Sequence, residues 1–169
     1  MAPPEDIPPS KAGDTAQTDA SSPSPTDVIL KIQQPHLSNI LSGIKTYEFR
    51  KYLLPSSVQR VWFFLIEPVS SISYVAEISP AIIRTKEPSD VSWRLPEDGV
   101  GNREFNSFDE GWEGEDYAYK LGRVWRLEGE VGLQKLTGEW GLDERLRRGV
   151  ETPRGLVERV KLDEGMRVR

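Results

Sequence analysis

The chain has 169 residues, a formal net charge of −5, no cysteine and one histidine, His36. These counts exclude disulfides, thiolate metal sites, a cysteine nucleophile and multi-histidine metal sites, and they disfavour a Ser-His-Asp triad, so we expect no metal and no cofactor. No apolar run approaches the roughly 20 residues that span a bilayer, and no secretory signal is visible. We therefore expect a soluble intracellular protein, cytoplasmic or nuclear, with no membrane partner.

The N-terminal segment, residues 1–26, is rich in Pro, Ser, Ala and Asp and contains one large aliphatic residue, Ile7. Such a segment cannot bury enough apolar surface to offset the entropy lost on ordering the chain. The composition predicts a disordered tail over 1–26, followed by one folded domain over 27–169.

The first predicted elements are a strand, a helix and a second strand. The β-branched run "DVILKI" predicts a strand over 27–32. The segment "QPHLSNILSGI" predicts a helix over 34–44, because its apolar residues recur at helical spacing, Pro35 suits the first turn and Gly43 suits the C-terminal cap. The alternating stretch "TYEFRK" then predicts a strand over 46–51.

The middle of the chain predicts two further strands and an irregular acidic segment. The continuous apolar run "RVWFFLIEPV", residues 60–69, is typical of a strand buried on both faces. The next strand, over 71–84, should be interrupted at Pro80, which cannot donate to a sheet. Residues 86–116 contain ten acidic and three basic side chains. They should be a solvated segment with short helices near Val91–Leu95 and Phe105–Trp112.

The last third of the chain alternates again and then becomes helical. The stretch "YAYKLGRVWRL" predicts a strand over 117–127, and "LQKLTGEW" and "LDERLRRG" predict short helices over 133–140 and 142–149. The segment "GLVERVKL", residues 155–162, predicts a closing strand. Short strands and short helices without regular βαβ alternation indicate a small mixed barrel.

The chain has five tryptophans, which supply much of its aromatic bulk. Trp62 and Trp125 lie in strong strand patterns and are core candidates. Trp93, Trp112 and Trp140 lie in less regular segments and are candidates for a surface or a groove.

Four residues that run from the end of the predicted helix into the following strand form a recognisable motif. In "LSGIKTYEFRK", Gly43, Lys45, Glu48 and Arg50 match the pattern G-x-K-x-x-E-x-R of the ASCH domain, a relative of the PUA RNA-binding fold, and the following strand order over 27–162 resembles that family too. The resemblance implies an α+β fold: a small PUA-like β-barrel with short decorating helices and a cleft facing the motif. It also implies a role related to RNA.

The motif charges have two interpretations. They could be a solvated strand face, or they could line a pocket for a phosphate, a carboxylate or the polar edge of a base. Glu48 and Arg50 share one strand face, and Lys45 can reach the same mouth from the preceding turn. Residues 27–60 also carry five basic and two acidic side chains, which favours a local anionic ligand over a broad basic groove.

The favoured hypothesis is an RNA- or nucleotide-binding domain. Its predicted ligand-binding residues are Gly43, Lys45, Glu48, Arg50 and Arg154. An aromatic side chain near the cleft could stack on a base. The candidates for that role are Tyr47, Tyr119, Trp125 and Trp140.

The alternative is an amidohydrolase that acts on a modified nucleoside such as N4-acetylcytidine, as some small bacterial members of the family do. Those enzymes use a Lys, a Thr three residues later and a Glu on a later strand. Here Lys45 matches the lysine and Glu77 is the candidate glutamate, but Glu48 stands in place of the threonine. The hypothetical catalytic set is therefore Lys45, Glu48 and Glu77.

A third alternative is a protein-interaction or regulatory module built on the acidic segment 86–116. Three arginines near the C-terminal end could also widen a basic rim around the cleft, although neighbouring acidic residues favour a solvated helix face. These are Arg145, Arg147 and Arg148.

Overall fold

A seven-stranded sheet that curls into a half-barrel forms the centre of the molecule, and short helices cover it. The computed structural model describes residues 19–143 and 149–169. The elements in chain order are β1 (Pro23–Ile32), α1 (Gln34–Leu41), β2 (Tyr47–Arg50), β3 (Arg60–Leu65), β4 (Ser71–Ile78), β5 (Ile82–Ile83), α2 (Asn102–Ser107), β6 (Tyr117–Gly132), α3 (Leu133–Gly138), β7 (Val150–Pro153), α4 (Arg154–Arg159) and a 3-10 turn (Glu164–Met166). This architecture confirms the predicted α+β class.

The strand order across the sheet is β2-β6-β4-β3-β1-β7, and β5 also pairs with β6. The β1–β3 pair is parallel, while the other pairs are antiparallel. A parallel pair needs a crossover connection, and here α1 and β2 lie within it. The crossover therefore carries the whole G-x-K-x-x-E-x-R motif to one end of the half-barrel.

Strand β3 is buried on both faces, as its continuous apolar sequence predicts. Val61 and Phe63 belong to a core that α1 covers with Leu37 and Ile40. On the opposite face a second core contains residues of β1, β3, β4, α3 and α4: Ile29, Trp62, Phe64, Val75, Leu136 and Leu156. The two faces of one strand thus hold two hydrophobic layers together.

The chain is ordered earlier than its composition predicts, since β1 begins at Pro23 rather than at Asp27. Pro23 pairs with β7, and the hydroxyls of Ser24 and Thr26 donate to the Asp27 carboxylate at 3.2 Å and 2.6 Å. A buried carboxylate, and not apolar area, fixes these polar residues. Residues 23–26, which the prediction assigns to the tail, therefore belong to β1, while residues 1–18 of the predicted tail lie outside the described residues.

Two predicted helices and one predicted strand differ from the structure. Val91–Leu95 forms turns and no helix, because the Asn106 amide both accepts from the Leu95 N–H at 2.9 Å and donates to its carbonyl at 2.8 Å. The helix expected over Phe105–Trp112 is α2, which ends where Phe108 takes a left-handed conformation. The predicted closing strand begins with α4 instead.

The misassigned closing segment shows how two patterns compete. Its valines favour a strand, but Leu156 lies in α4, and the N–H of Val160, the residue that caps the helix, donates to the Leu156 carbonyl at 3.2 Å. Leu156 is 1% exposed in the second core, with Val160 packed against that core. Burial of this pair outweighs the local strand preference.

The tryptophans divide differently from the prediction. Trp62 and Trp125 are buried as expected, but Trp93 and Trp140 are buried too, in the cores beside β2 and α4. Only Trp112 keeps a position at a groove, which is described below.

The predicted helix over 142–149 and its three arginines fall largely on residues 144–148, outside the described residues. Among the helices of 19–143 and 149–169, none is long and apolar enough to cross a membrane.

Candidate functional site

The motif lysine is positioned by the turn that follows α1. Gly43 has φ +82°, a left-handed conformation that favours glycine, and its N–H donates to the Ile40 carbonyl. The chain then turns so that the Lys45 N–H donates to the Asn39 carbonyl at 2.9 Å. The Arg169 guanidinium donates to the Lys45 carbonyl at 3.2 Å. Gly43 is therefore a structural part of the motif, as a cap, and it does not line the site.

Three motif side chains form a buried ion cluster. Arg50 contacts Glu48 Oε1 at 2.7 Å, and the Lys45 ammonium lies 3.7 Å from Glu48 Oε2. The Lys45 and Glu48 side chains are only 6% and 8% exposed. A solvated strand face would leave these charges in water, so the structure favours the pocket interpretation.

Lys45 is enclosed by an aromatic ring as well as by charges. Its ammonium lies 4.5 Å from the centre of the Phe49 ring, which gives a cation–π contact. Burial lowers the pKa of Lys45, although the neighbouring Glu48 carboxylate opposes that shift. A lysine in this state can donate hydrogen bonds and exchange a proton more readily than an exposed one.

A small cavity opens over the cluster. Its volume is about 170 Å³, and the side chains that line it include His36, Lys45, Glu48, Phe49, Trp112 and Glu115. A more open cavity of about 360 Å³ shares four of these residues and adds Lys31 and Arg50. We call the two together the motif cleft. Its walls combine three cations, Lys31, Lys45 and Arg50, with two carboxylates and the rings of Phe49 and Trp112.

Three polar atoms of the motif cleft are buried without a hydrogen-bond partner among the described residues. They are Glu48 Oε2, Arg50 Nε and Glu115 Oε2. An ionised group buried without its full set of partners costs free energy, which a ligand with complementary groups can recover. The unpaired atoms include both acceptors and a donor, so they suit a neutral polar group better than a simple anion.

The acidic segment supplies the outer wall of the cleft, and Arg84 holds it there. Arg84, directly after β5, donates to the carbonyls of Phe105, at 2.9 Å, and Trp112, and pairs with Asp116 at 2.9 Å. Trp112 then packs edge-on against Phe49, with ring centres 5.0 Å apart. Phe105 also lies in a third hydrophobic core, whose buried residues are Tyr47, Phe49, Trp93, Leu95, Phe105 and Ala118. The segment 86–116 is therefore anchored to the fold and is not the solvated insertion that its charge predicts.

Replacing Arg84 by lysine should loosen this wall. Lysine keeps the charge but cannot make the same three directed contacts, so we expect a loss of about 1–2 kcal/mol in unfolding free energy and faster amide exchange over 105–116. Arg103→Lys, at an exposed position of the same segment, is the control and should change neither. Equal exchange in the two variants would show that Arg84 does not hold the wall.

The structure does not bring Glu77 or Arg154 to the motif cleft. Glu77 lies on β4 and binds Arg123, whose Nε donates to Glu77 Oε2 at 3.0 Å, and it lines a different cavity. This pairing lowers the pKa of Glu77. Arg154 is the first residue of α4, and it lines neither part of the cleft. The proposed catalytic set of Lys45, Glu48 and Glu77 is therefore not assembled.

The four aromatic residues expected to stack on a base are core residues. Tyr47, Tyr119, Trp125 and Trp140 are each less than 9% exposed, and the Tyr119 hydroxyl accepts from the Leu54 N–H at 2.7 Å. The rings that do line the cleft are Phe49 and Trp112. The sequence indicates a surface or a groove position for Trp112 but carries no signal for Glu115, because a run of acidic residues does not show which one faces the cleft.

In the described residues, no group of three or more His, Asp or Glu side chains could hold a metal ion.

Comparisons with known proteins agree with the motif at the level of the fold. No family model and no curated protein matches the chain. The structure is similar to crystal structures of the ASCH protein of Zymomonas mobilis. The unmodified protein superposes with a TM-score of 0.55 and 19% identity over 82% of this chain and 98% of that one.

Two single-residue variants of the same bacterial protein give similar values. A serine-to-alanine variant has a TM-score of 0.58 and 18% identity over 83% of this chain and 100% of that one. A tyrosine-to-phenylalanine variant has a TM-score of 0.54 and 20% identity over 80% and 99%. The chain therefore has the fold of the ASCH domain, which confirms the fold that the resemblance of the motif implies.

Proposed function

We propose that the chain binds one nucleotide unit, either free or within single-stranded RNA, in the motif cleft. The observation that carries the proposal is the buried cluster of Lys45, Glu48 and Arg50, in which Glu48 Oε2 lacks a hydrogen-bond donor. A nucleobase would bring N–H and carbonyl groups to that cluster. The rings of Phe49 and Trp112 would give it apolar surface to stack on.

The size and charge of the cleft support a single unit rather than a long strand. The inner cavity, about 170 Å³, is small compared with typical ligand pockets, and it lies beneath an acidic segment. Salt dependence scales with the number of phosphates that cations neutralise, and the cleft offers only Lys31, Lys45 and Arg50, so we expect binding to depend weakly on salt.

Calorimetric titration tests the proposal. Ribonucleoside monophosphates and short single-stranded RNAs should each give saturable binding with one site per chain, and their affinities should fall only gently with added salt. If a mononucleotide binds as well as an oligonucleotide, the cleft recognises the unit itself. If neither ligand binds at millimolar concentration, the proposal is wrong.

A second candidate function is hydrolysis of a modified nucleoside such as N4-acetylcytidine. One observation favours it: burial lowers the pKa of Lys45, which suits a proton-transfer group next to Glu48. Against it stands Glu77, which is bound to Arg123 outside the cleft. Chromatography of the protein with N4-acetylcytidine decides between the two functions, because turnover requires a catalyst and binding alone leaves the nucleoside intact.

The third alternative, a protein-interaction module, rested on a detachable acidic segment. Trp93, Leu95 and Phe105 of that segment are buried in the third core. Deleting the segment would expose this core, so the deletion cannot separate a partner site from the fold.

A further inference from the structure

We infer that the motif cleft selects guanine among the four standard bases, with Lys45, Glu48 and Glu115 reading its Watson–Crick edge. This inference rests on the proposed function, since it names the ligand of the same cleft. It goes beyond the motif because Glu115 lies outside it.

Two carboxylates supply the hydrogen-bond acceptors of the cleft. Glu48 and Glu115 line both parts of the cleft, and each has a buried Oε2 without a donor among the described residues. The Glu48 side chain is more than nine-tenths buried. Both carboxylates line the same cavity of about 170 Å³, so a ligand with two N–H donor groups would supply the partners that they lack.

Lys45 supplies a hydrogen-bond donor beside these carboxylates. The Lys45 ammonium lies 3.7 Å from Glu48 Oε2, beyond hydrogen-bond distance, so its N–H groups can point to a ligand acceptor. The inner cavity therefore offers the Lys45 donor and the two carboxylate acceptors, with the His36 imidazole beside them. The matching ligand edge has one acceptor followed by two donors.

Guanine is the standard base with that edge. Its O6 accepts, and its N1–H and N2 amino groups donate side by side. Adenine, cytosine and uracil each have one donor group on the corresponding edge, so one carboxylate would remain unpaired or would face a carbonyl oxygen. A site with buried polar groups rejects a ligand that leaves them unpaired.

The sugar phosphate of the nucleotide would lie in the outer part of the cleft. This part adds Lys31 and Arg50, and Arg50 Nε is buried without a hydrogen-bond partner. The remaining Arg50 contacts, to Glu48 and to the Lys31 carbonyl at 2.9 Å, hold the guanidinium in place. A phosphate in this outer part would pair with Lys31 and Arg50, which the base does not contact.

The test compares GMP with IMP, which keeps O6 and N1–H but lacks the N2 amino group. We expect GMP to bind at least tenfold more tightly than IMP, and more tightly than AMP, CMP and UMP. Glu115→Ala should reduce the ratio of GMP to IMP affinity to about one. Glu110→Ala removes the same charge from an exposed position of the same segment and should leave the ratio unchanged.

The outcomes separate the two proposals. Equal binding of GMP and IMP, or an unchanged ratio in a folded Glu115→Ala variant, would overturn guanine selection and leave nucleotide binding standing. Absence of binding by all five nucleotides would overturn both. Thermal unfolding of each variant, measured in parallel, shows whether a lost ratio comes from the contact or from a disrupted fold.

Discussion

Replacement of Asp27 by alanine is expected to lower the free energy of unfolding by about 3–5 kcal/mol, the range for breaking a buried charge pair. The Asp27 side chain is fully buried and accepts at both oxygens. Arg60 binds it through Nε at 2.8 Å and through a terminal nitrogen at 2.9 Å, and the Trp62 indole N–H donates to it at 2.8 Å. The variant leaves that indole buried without an acceptor. Denaturant unfolding measures the loss.

The matched control is Glu77→Ala. Glu77 and Arg123 also form a pair across strands, but the two side chains are 33% and 46% exposed. An exposed pair contributes little, so the expected loss is below about 1 kcal/mol. Similar losses in the two variants would contradict the role given to the Asp27 carboxylate.

The same carboxylate gives the stability a pH dependence. Burial alone would raise the pKa of Asp27, but hydrogen bonds from Arg60, Thr26 and Trp62, together with the Arg60 charge, outweigh burial and lower it. Its contribution is therefore fully present above the unfolded value of 3.8 and is lost as the pH falls through the lower folded value. The difference in stability between wild type and Asp27→Ala should shrink over that acid range.

Replacement of Lys45 and Arg50 together by alanine is expected to weaken nucleotide binding by more than tenfold. The two side chains supply the cationic groups on either side of Glu48, and each charge-assisted contact to a ligand contributes about 1.5–3 kcal/mol. Calorimetry with a mononucleotide and with single-stranded RNA measures the loss.

The control for this double variant is Lys120→Ala with Arg126→Ala. Both residues are exposed on β6 and line neither part of the cleft, so the control removes the same total charge. It should reduce affinity only slightly, through the long-range field. Unchanged binding by a folded Lys45/Arg50 variant would remove the basis for the motif cleft as a ligand site.

Short sequence patterns correctly predicted several elements of the fold. The continuous apolar run of β3 indicated burial on both faces, and the spacing of apolar residues in α1 with Gly43 after it indicated a helix and its end. Glu48 and Arg50 are two residues apart on β2, so the alternation of a strand predicted that they share one face. In the structure a terminal nitrogen of Arg50 lies 2.7 Å from Glu48 Oε1. Each of these features depends on residues that are close along the chain.

Contacts between distant segments could not be predicted in this way. Glu77 has the right chemistry for the cleft, but β4 pairs with β6, and the pairing places Arg123 beside it. Glu115 is one of many acidic residues, and only the contacts of Arg84 with the segment show which side of it faces Phe49. The composition predicts a solvated segment because acidic residues outnumber its few apolar residues, yet Trp93, Leu95 and Phe105 are buried in the third core.

In the acidic segment 86–116, one set of contacts fixes the backbone, and a second set of side chains lines the cleft. Phe105 and the carbonyls bound by Arg84 fix its backbone, whereas Trp112 and Glu115 project their side chains into the cleft. Because Arg84 binds Trp112 through its backbone carbonyl, the side chains of Trp112 and Glu115 can be exchanged while the backbone keeps its place. Engineering of a new ligand preference should therefore begin at Trp112 and Glu115, with Arg84 and Phe105 left untouched.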